Sequence, residues 1–150
     1  MPRADFNFVH RIRVRYSEID GQAVVFNARY LDYADLAVVE YFRALGIPTS
    51  PGPGTPEFHA ARATVDYEVP IKLDEEIDLC VRTQRIGRTS MILAVEMHGA
   101  GDDDDLRALV ELVYVHVDLA GHRPVPVPTW VIECMERHCG RRLTDPAPAS

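Results

Sequence analysis

The chain has 150 residues, with 16 basic and 23 acidic side chains and a formal charge of −7. That length fits one domain, able to bury roughly 70% of the surface its unfolded chain exposes. Hydrophobic residues at 47% and charged residues at 26% exclude a disordered or fibrous chain, and the acidic balance argues against a duplex nucleic-acid partner. All the basic residues except Lys72 are arginines, so a single Arg carries little information. Cys80, Cys134 and Cys139 are odd in number and form no CxxC pair, which suits reduced thiols better than a disulfide scaffold or a zinc ribbon. The opening MPRADFNFVHRIRVRY lacks the apolar run of a signal peptide, and no stretch approaches the ~18 apolar residues of a membrane span. The expectation is a cytoplasmic protein without a membrane partner.

Residues 8 to 16 alternate, with Phe8, His10, Ile12, Val14 and Tyr16 on one face and Arg11, Arg13 and Arg15 on a solvated one, which predicts a strand. Residues 28 to 45 switch to the helical period. Tyr30, Leu31, Ala34, Ala37, Val38, Tyr41, Phe42 and Leu45 cover a broad apolar side, with Arg29, Asp32, Tyr33, Glu40 and Arg43 opposite. Asn27 reads as the N-cap, and Gly46 followed by Pro48 as the stop. After a Pro/Gly loop, strands are expected at 57–69, 76–86, 90–98 and 105–118. The RIGRTS turn joins the second and third, and the Asp102–Asp105 run sits in a solvated turn. The last of these strands is apolar on both faces, which implies a helix on one face and a further layer, such as another subunit, on the other. A short helix over 129–139 precedes a tail, from about 141 to 150, expected to fray. The predicted class is α+β, one long helix laid on a five-stranded antiparallel sheet in a single domain spanning 1–150.

No GxGxxG, GxxxxGK[ST] or GxSxG motif occurs, and the six histidines have no metal-ligand spacing. The segment between the first strand and the long helix is the place for chemistry. A carboxylate there, Asp20, precedes a helix start whose N–H groups carry partial positive charge and could polarise a carbonyl. Equally, Asp20 could simply favour a loop or a helix end.

The stretch YSEIDGQAVVFNARYLDYADLAVVEYFRALG resembles the opening of the hotdog-fold thioesterases of the 4-hydroxybenzoyl-CoA thioesterase type, and VDYEVPIKLDEEIDLCVRTQRIGRTSMILAVEM resembles their central strands. The similarity covers roughly residues 8 to 127 and implies a hotdog fold that hydrolyses acyl-CoA without metal or cofactor, as a homo-oligomer, dimer or tetramer. It implies that Asp20 is the catalytic nucleophile or general base, and that Asn27 falls where a backbone N–H polarises the thioester carbonyl. Arg88, Thr89 and Ser90 fall in a hairpin that approaches the CoA phosphates from a neighbouring subunit. Tyr30, on the helix, is a substrate-binding candidate; Tyr30, Tyr33, Tyr67 and Phe26 either line an aromatic pocket or pack in the core. The family's hydratase relatives need a histidine before the helix, and none lies between Tyr16 and Tyr30. One departure stands out: where the family usually has Gly three residues after the Asp, this chain has Ala23, and a methyl group hinders a position that requires positive φ. That departure keeps a non-catalytic acyl-CoA binding or sensing module as the alternative.

Overall fold

The computed structural model describes residues 2–145. A 3-10 turn at Arg3–Asp5 leads into β1 (Val9–Arg13), and a second 3-10 turn, Tyr16–Glu18, precedes α1 (Arg29–Leu45). Then follow β2 (Phe58–Tyr67), β3 (Glu76–Ile86), β4 (Ser90–Gly99), β5 (Leu106–Asp118), the two-residue β6 (Arg123–Pro124) and α2 (Thr129–Cys139). The strands run in the order β1-β3-β4-β5-β2, every pair antiparallel, with β6 added to the end of β5. This is the expected α+β sheet and long helix, with β6 beyond the five predicted strands.

Period-two alternation on β3, β4 and β5 builds the inner face. Leu79, Met97 and Ala108 stand side by side in register, as do Val81, Val95 and Val110, and Thr83, Leu93 and Leu112. Against these rows α1 buries Tyr30, Ala34, Ala37, Val38, Tyr41 and Phe42. Ala34 and Ala37 are fully covered, so the helix backbone sits close to the sheet and any larger side chain there would overpack it. A polar contact across this interface satisfies both partners: the Tyr41 and Thr83 hydroxyls lie 2.8 Å apart. Gly46, in the left-handed region at φ 79°, ends α1 and lets the Ile47 N–H reach back to the Phe42 carbonyl.

Four expectations need correction. β1 stops at Arg13 because the Val14 N–H pairs with the Glu75 carbonyl and the chain then turns, which leaves Tyr16 80% exposed instead of facing the core. Tyr33, placed by periodicity among the polar residues of α1, is buried at 3% exposure, whereas Leu31 is 42% exposed. The N-cap of α1 is Ala28, in helical conformation and without a side-chain cap, not Asn27. The tail docks before it ends: Leu143 is buried, its carbonyl accepts the Ile86 N–H at 2.9 Å, and Thr144 pairs with Ile86. Residues 146–150 of the expected frayed tail lie outside the described residues.

The outer face of the sheet carries charge. The Asp78 side chain is almost wholly covered and is held by Arg3 and Arg11, the latter through Nε at 2.8 Å. Burial alone would push the Asp78 carboxyl up, but the two guanidinium groups outweigh it and hold it below its usual value of 3.8. A carboxyl depressed in the folded state contributes stability above its unfolded pKa and loses it as pH falls through the folded value. Asp78→Asn is therefore expected to cost about 1.5–3 kcal/mol at neutral pH, as for hydrogen bonds to charged groups. Thermal midpoints measured from pH 7 downward should show that gap narrowing only once pH falls below the ordinary carboxyl value of 3.8, and closing as Asp78 itself becomes protonated in the folded state at lower pH still; a gap of constant size through that acid range would assign the effect to packing.

Candidate active site

Residues 18–26 form a small clasp whose turn carries Asp20. Ile19 bridges Val25, the Asp20 N–H donates to the Val24 carbonyl at 2.9 Å, and the Phe26 N–H donates to the Glu18 carbonyl at 2.9 Å. The Ala23 N–H closes the turn onto the Asp20 carbonyl at 3.0 Å, and the Gln22 N–H donates to Asp20 Oδ1 at 2.8 Å, an Asx turn. The second carboxylate oxygen accepts no hydrogen bond among the described residues. On the other side the clasp is stitched to the segment before β3, with Val25 N–H donating to the Ile71 carbonyl and Leu73 N–H to the Ala23 carbonyl.

Asp20, half-buried, shares one cavity of about 380 Å3 with Val24, Phe26, Asn27, Tyr30, Tyr67, Glu68, Val69 and Pro70. Tyr30 is covered to 4% and meets the Tyr67 ring edge-on at 4.8 Å. The Tyr67 hydroxyl donates to the Asn27 carbonyl at 2.8 Å, so the end of β2 is tied to the start of α1. The Asn27 and Ala28 N–H groups just before α1 have no protein acceptor among the described residues, as helix starts leave their first donors unpaired. A carboxylate with an open oxygen and unpaired donors at a helix start therefore occur on one concave, mostly apolar surface. Such a surface can seat an uncharged carbonyl and stabilise negative charge developing on its oxygen.

Asp20, Asn27 and Tyr30 are thus brought together, and Phe26 and Tyr67 line the same cavity. Tyr33 does not; it points to Glu18, on a separate groove with Ile12, Arg15 and Leu36. Arg88, Thr89 and Ser90 are not brought to this cavity either. They lie in and just after the turn between β3 and β4, where the Thr89 carbonyl accepts the His116 N–H and the Arg88 carbonyl accepts the Val127 N–H. Tyr67 pairs with Ala108 and Ser90 with Val115 on the same strand, β5, which puts the two groups about 23 Å apart along the sheet at roughly 3.3 Å per residue. Glu68, Val69 and Pro70 went unrecognised in the sequence because only the pairing of β2 with β5 carries them to the cavity.

The chain matches the Thioesterase-like superfamily over residues 14–134 and belongs to that family. Among solved structures it is similar to a thioesterase from Thermus thermophilus complexed with coenzyme A and zinc, at 32% identity and a TM-score of 0.78, over 93% of this chain and 98% of that one. A predicted thioesterase from Bacillus stearothermophilus is 25% identical with a TM-score of 0.77, over 87% and 95% of the two chains. A 1,4-dihydroxy-2-naphthoyl-CoA thioesterase from Synechocystis shares the fold at 15% identity and a TM-score of 0.77, over 85% and 94%. The hotdog architecture follows from these likenesses. None of the curated proteins matches the chain. Among the described residues no three His, Cys, Asp or Glu side chains gather as a metal site would require.

Ala23 stands at φ 60°, so the position where the resemblance leads to an expected glycine does have a left-handed backbone. The left-handed conformation costs a non-glycine residue about 1–2 kcal/mol, while glycine adds unfolded-state freedom worth about 0.4–1 kcal/mol. Ala23→Gly is therefore expected to stabilise the protein by up to about 1 kcal/mol, seen as a thermal midpoint roughly 2–4 °C higher. A fall in the midpoint would contradict strain at this residue.

Proposed function

We propose that the protein hydrolyses an acyl-CoA thioester to the free acid and CoA, with Asp20 as nucleophile or general base and the N–H groups at the start of α1 polarising the thioester carbonyl. Superfamily membership points to thioester hydrolysis. The observation that carries the finer reading is that Asp20 and the start of α1 line the same cavity. As nucleophile, the Asp20 carboxylate adds to the carbonyl carbon, the C–S bond breaks, and CoA leaves as a thiolate. Water then cleaves the mixed anhydride: its hydroxyl goes to the acyl carbon, the Asp20 carboxylate is released, and the proton set free goes to the thiolate. As base, Asp20 accepts a proton from water as its oxygen adds to the carbonyl, and that proton passes to the departing sulfur. Either route consumes one water and yields acid and thiol. The acyl group lies against Phe26, Tyr30, Tyr67 and Val69.

The coenzyme A complex of the Thermus protein supports CoA as the carrier. Arg88, Thr89 and Ser90 lie about 23 Å along the sheet from Tyr67 in the cavity wall, so one chain does not join both ends of the substrate at one cavity. The reading is a homo-oligomer, dimer or tetramer, in which a neighbouring subunit's hairpin meets the CoA phosphates. The half-buried Leu109, Val113 and Val115 of β5 and the exposed β2, including its Ala60, Ala61 and Ala63, are surfaces suited to such assembly.

Asp20→Asn is almost isosteric and is expected to leave the thermal midpoint and acyl-CoA affinity unchanged while lowering kcat by at least about 10²–10⁴-fold, the usual contribution of general-base assistance. Thiol release from a panel of acyl-CoAs measures this; a variant retaining a tenth of wild-type kcat would defeat the assignment. No turnover in either protein, with equal affinity, would indicate a binding module.

Arg88→Ala is expected to raise KM for acyl-CoA far more than it lowers kcat, because a phosphate contact remote from the thioester binds ground and transition states alike. The corresponding acyl-pantetheine, which lacks the nucleotide, is the control. Equal impairment on both substrates would exclude nucleotide recognition by Arg88.

A further inference from the structure

Glu18, two residues before Asp20, is a carboxylate with only 8% of its surface exposed, and the proposed reaction gives it no task. Its Oε1 accepts the Tyr33 hydroxyl at 3.0 Å and the Arg15 N–H at 2.8 Å, while Oε2 takes the Arg15 guanidinium at 3.1 Å. Burial would raise the Glu18 carboxyl, but these hydrogen bonds together hold it below the usual range. Burial, then the bond to Glu18, pushes the Tyr33 phenol up. The pair is therefore carboxylate and phenol at neutral pH, and the bond is charge-assisted.

The position of this bond in the chain is what gives it consequence. Tyr33 is one turn into α1, and the only partner of its hydroxyl among the described residues is Glu18. The Glu18 main chain closes the clasp by accepting the Phe26 N–H. Helix start, Tyr33, Glu18 and the Asp20 turn thus form one closed loop of contacts. Without the Glu18–Tyr33 bond, the Asp20 turn keeps its contacts to residues 71–73, the apolar packing of Ile19 and Val25 and its chain continuity to α1, but among the described residues no side-chain hydrogen bond links it to the helix.

We propose that Glu18 and Tyr33 are positioning residues, whose bond sets the distance of Asp20 from the N–H groups at the start of α1. This rests on the catalytic reading of Asp20. The competing account is that a buried carboxylate and a buried phenol satisfy one another and affect stability alone.

Kinetics separates the two accounts, because a displacement of about 1 Å in a reacting group can cost about 10²-fold in rate, whereas a stability loss does not change kcat well below the thermal midpoint. Tyr33→Phe removes one oxygen and keeps the ring. It is expected to lower kcat roughly 10–100-fold with KM for acyl-CoA within about twofold, measured at 25 °C on protein shown to be folded by its melting curve. Glu18→Gln, which retains an acceptor for the Tyr33 hydroxyl, is expected to keep more of kcat than Glu18→Ala. In the Asp20→Asn background, Tyr33→Phe should still lower the thermal midpoint but should no longer lower the residual rate. Unchanged kcat in Tyr33→Phe, or the same fractional loss with Asp20 and with Asn at that position, would overturn the proposal while leaving Asp20 in place. Full activity in Asp20→Asn alone would remove the catalytic reading and this inference together. Should Glu18→Ala not fold, Tyr33→Phe and Glu18→Gln carry the test.

Discussion

The burial of α1 against the inner face of the sheet is the constraint from which the rest follows. Ala34 and Ala37 are completely covered, so the helix has no freedom to lift or roll without opening a void beneath it. Tyr30 and Tyr41 extend this contact along the helix, and Gly46 ends it where the apolar arc ends. Once α1 is fixed, the position of its first N–H groups is fixed, together with the point from which the Asp20 clasp must start. The clasp is then a matter of local hydrogen bonds: an Asx turn at Asp20, a bridge at Ile19 and Val25, and a buried anchor at Glu18.

Periodicity could reveal the helix and the strands because each buries a contiguous face, and a face repeats in the sequence. The elements at 76–86 and 129–139 have the expected ends for this reason. What periodicity misread were side chains buried by a partner instead of by a face. Tyr33 falls among Arg29, Asp32 and Arg43 on the helical wheel, yet it is buried because Glu18 comes to it from a loop. Leu31 belongs to the apolar arc by angle but is left largely exposed. Leu143 looked like part of a polar tail because a single residue docking onto the end of β3 has no period at all.

The candidate site was legible to the extent that it is local. Asp20 and Asn27 lie within one loop, so sequence spacing alone could put a carboxylate before a helix start. Ala23 also gave its signal locally, as an alanine at φ 60° where the resemblance leads to an expected glycine. Asn27 lines the cavity but is not the N-cap expected of it: Ala28 is, and the Asn27 carbonyl is occupied by Tyr67. The far wall, Glu68 to Pro70, depends on strand register about forty residues further along the chain. Register is decided by pairing, which no single segment records.

Net charge gives a misleading picture of how this protein would receive a polyanion, because the charge is segregated along the sheet. The end that holds Asp20 also carries the turn Asp102–Asp105, with Glu75 and Glu76 alongside; there Arg107 is committed to Glu75 and Asp105. The opposite end gathers exposed Arg85, Arg88, Arg137, Arg141 and Arg142, drawn together by the docking of Leu143 and Thr144 onto Ile86. Asp145 answers Arg85, and the Arg142 side chain turns back on Thr144 and the Asp145 carbonyl. At an ionic strength near 0.15 M charges are screened beyond about 8 Å, so a phosphate near Arg88 responds to the guanidinium groups within that radius and not to Asp105 and its neighbours, roughly 30 Å away along β5 from the partner of Ser90. A chain of net charge −7 can therefore present a locally cationic surface at one end while keeping an acidic surface around Asp20 at the other. On the proposed reading these two surfaces, at opposite ends of one subunit, meet the same substrate only across a subunit boundary.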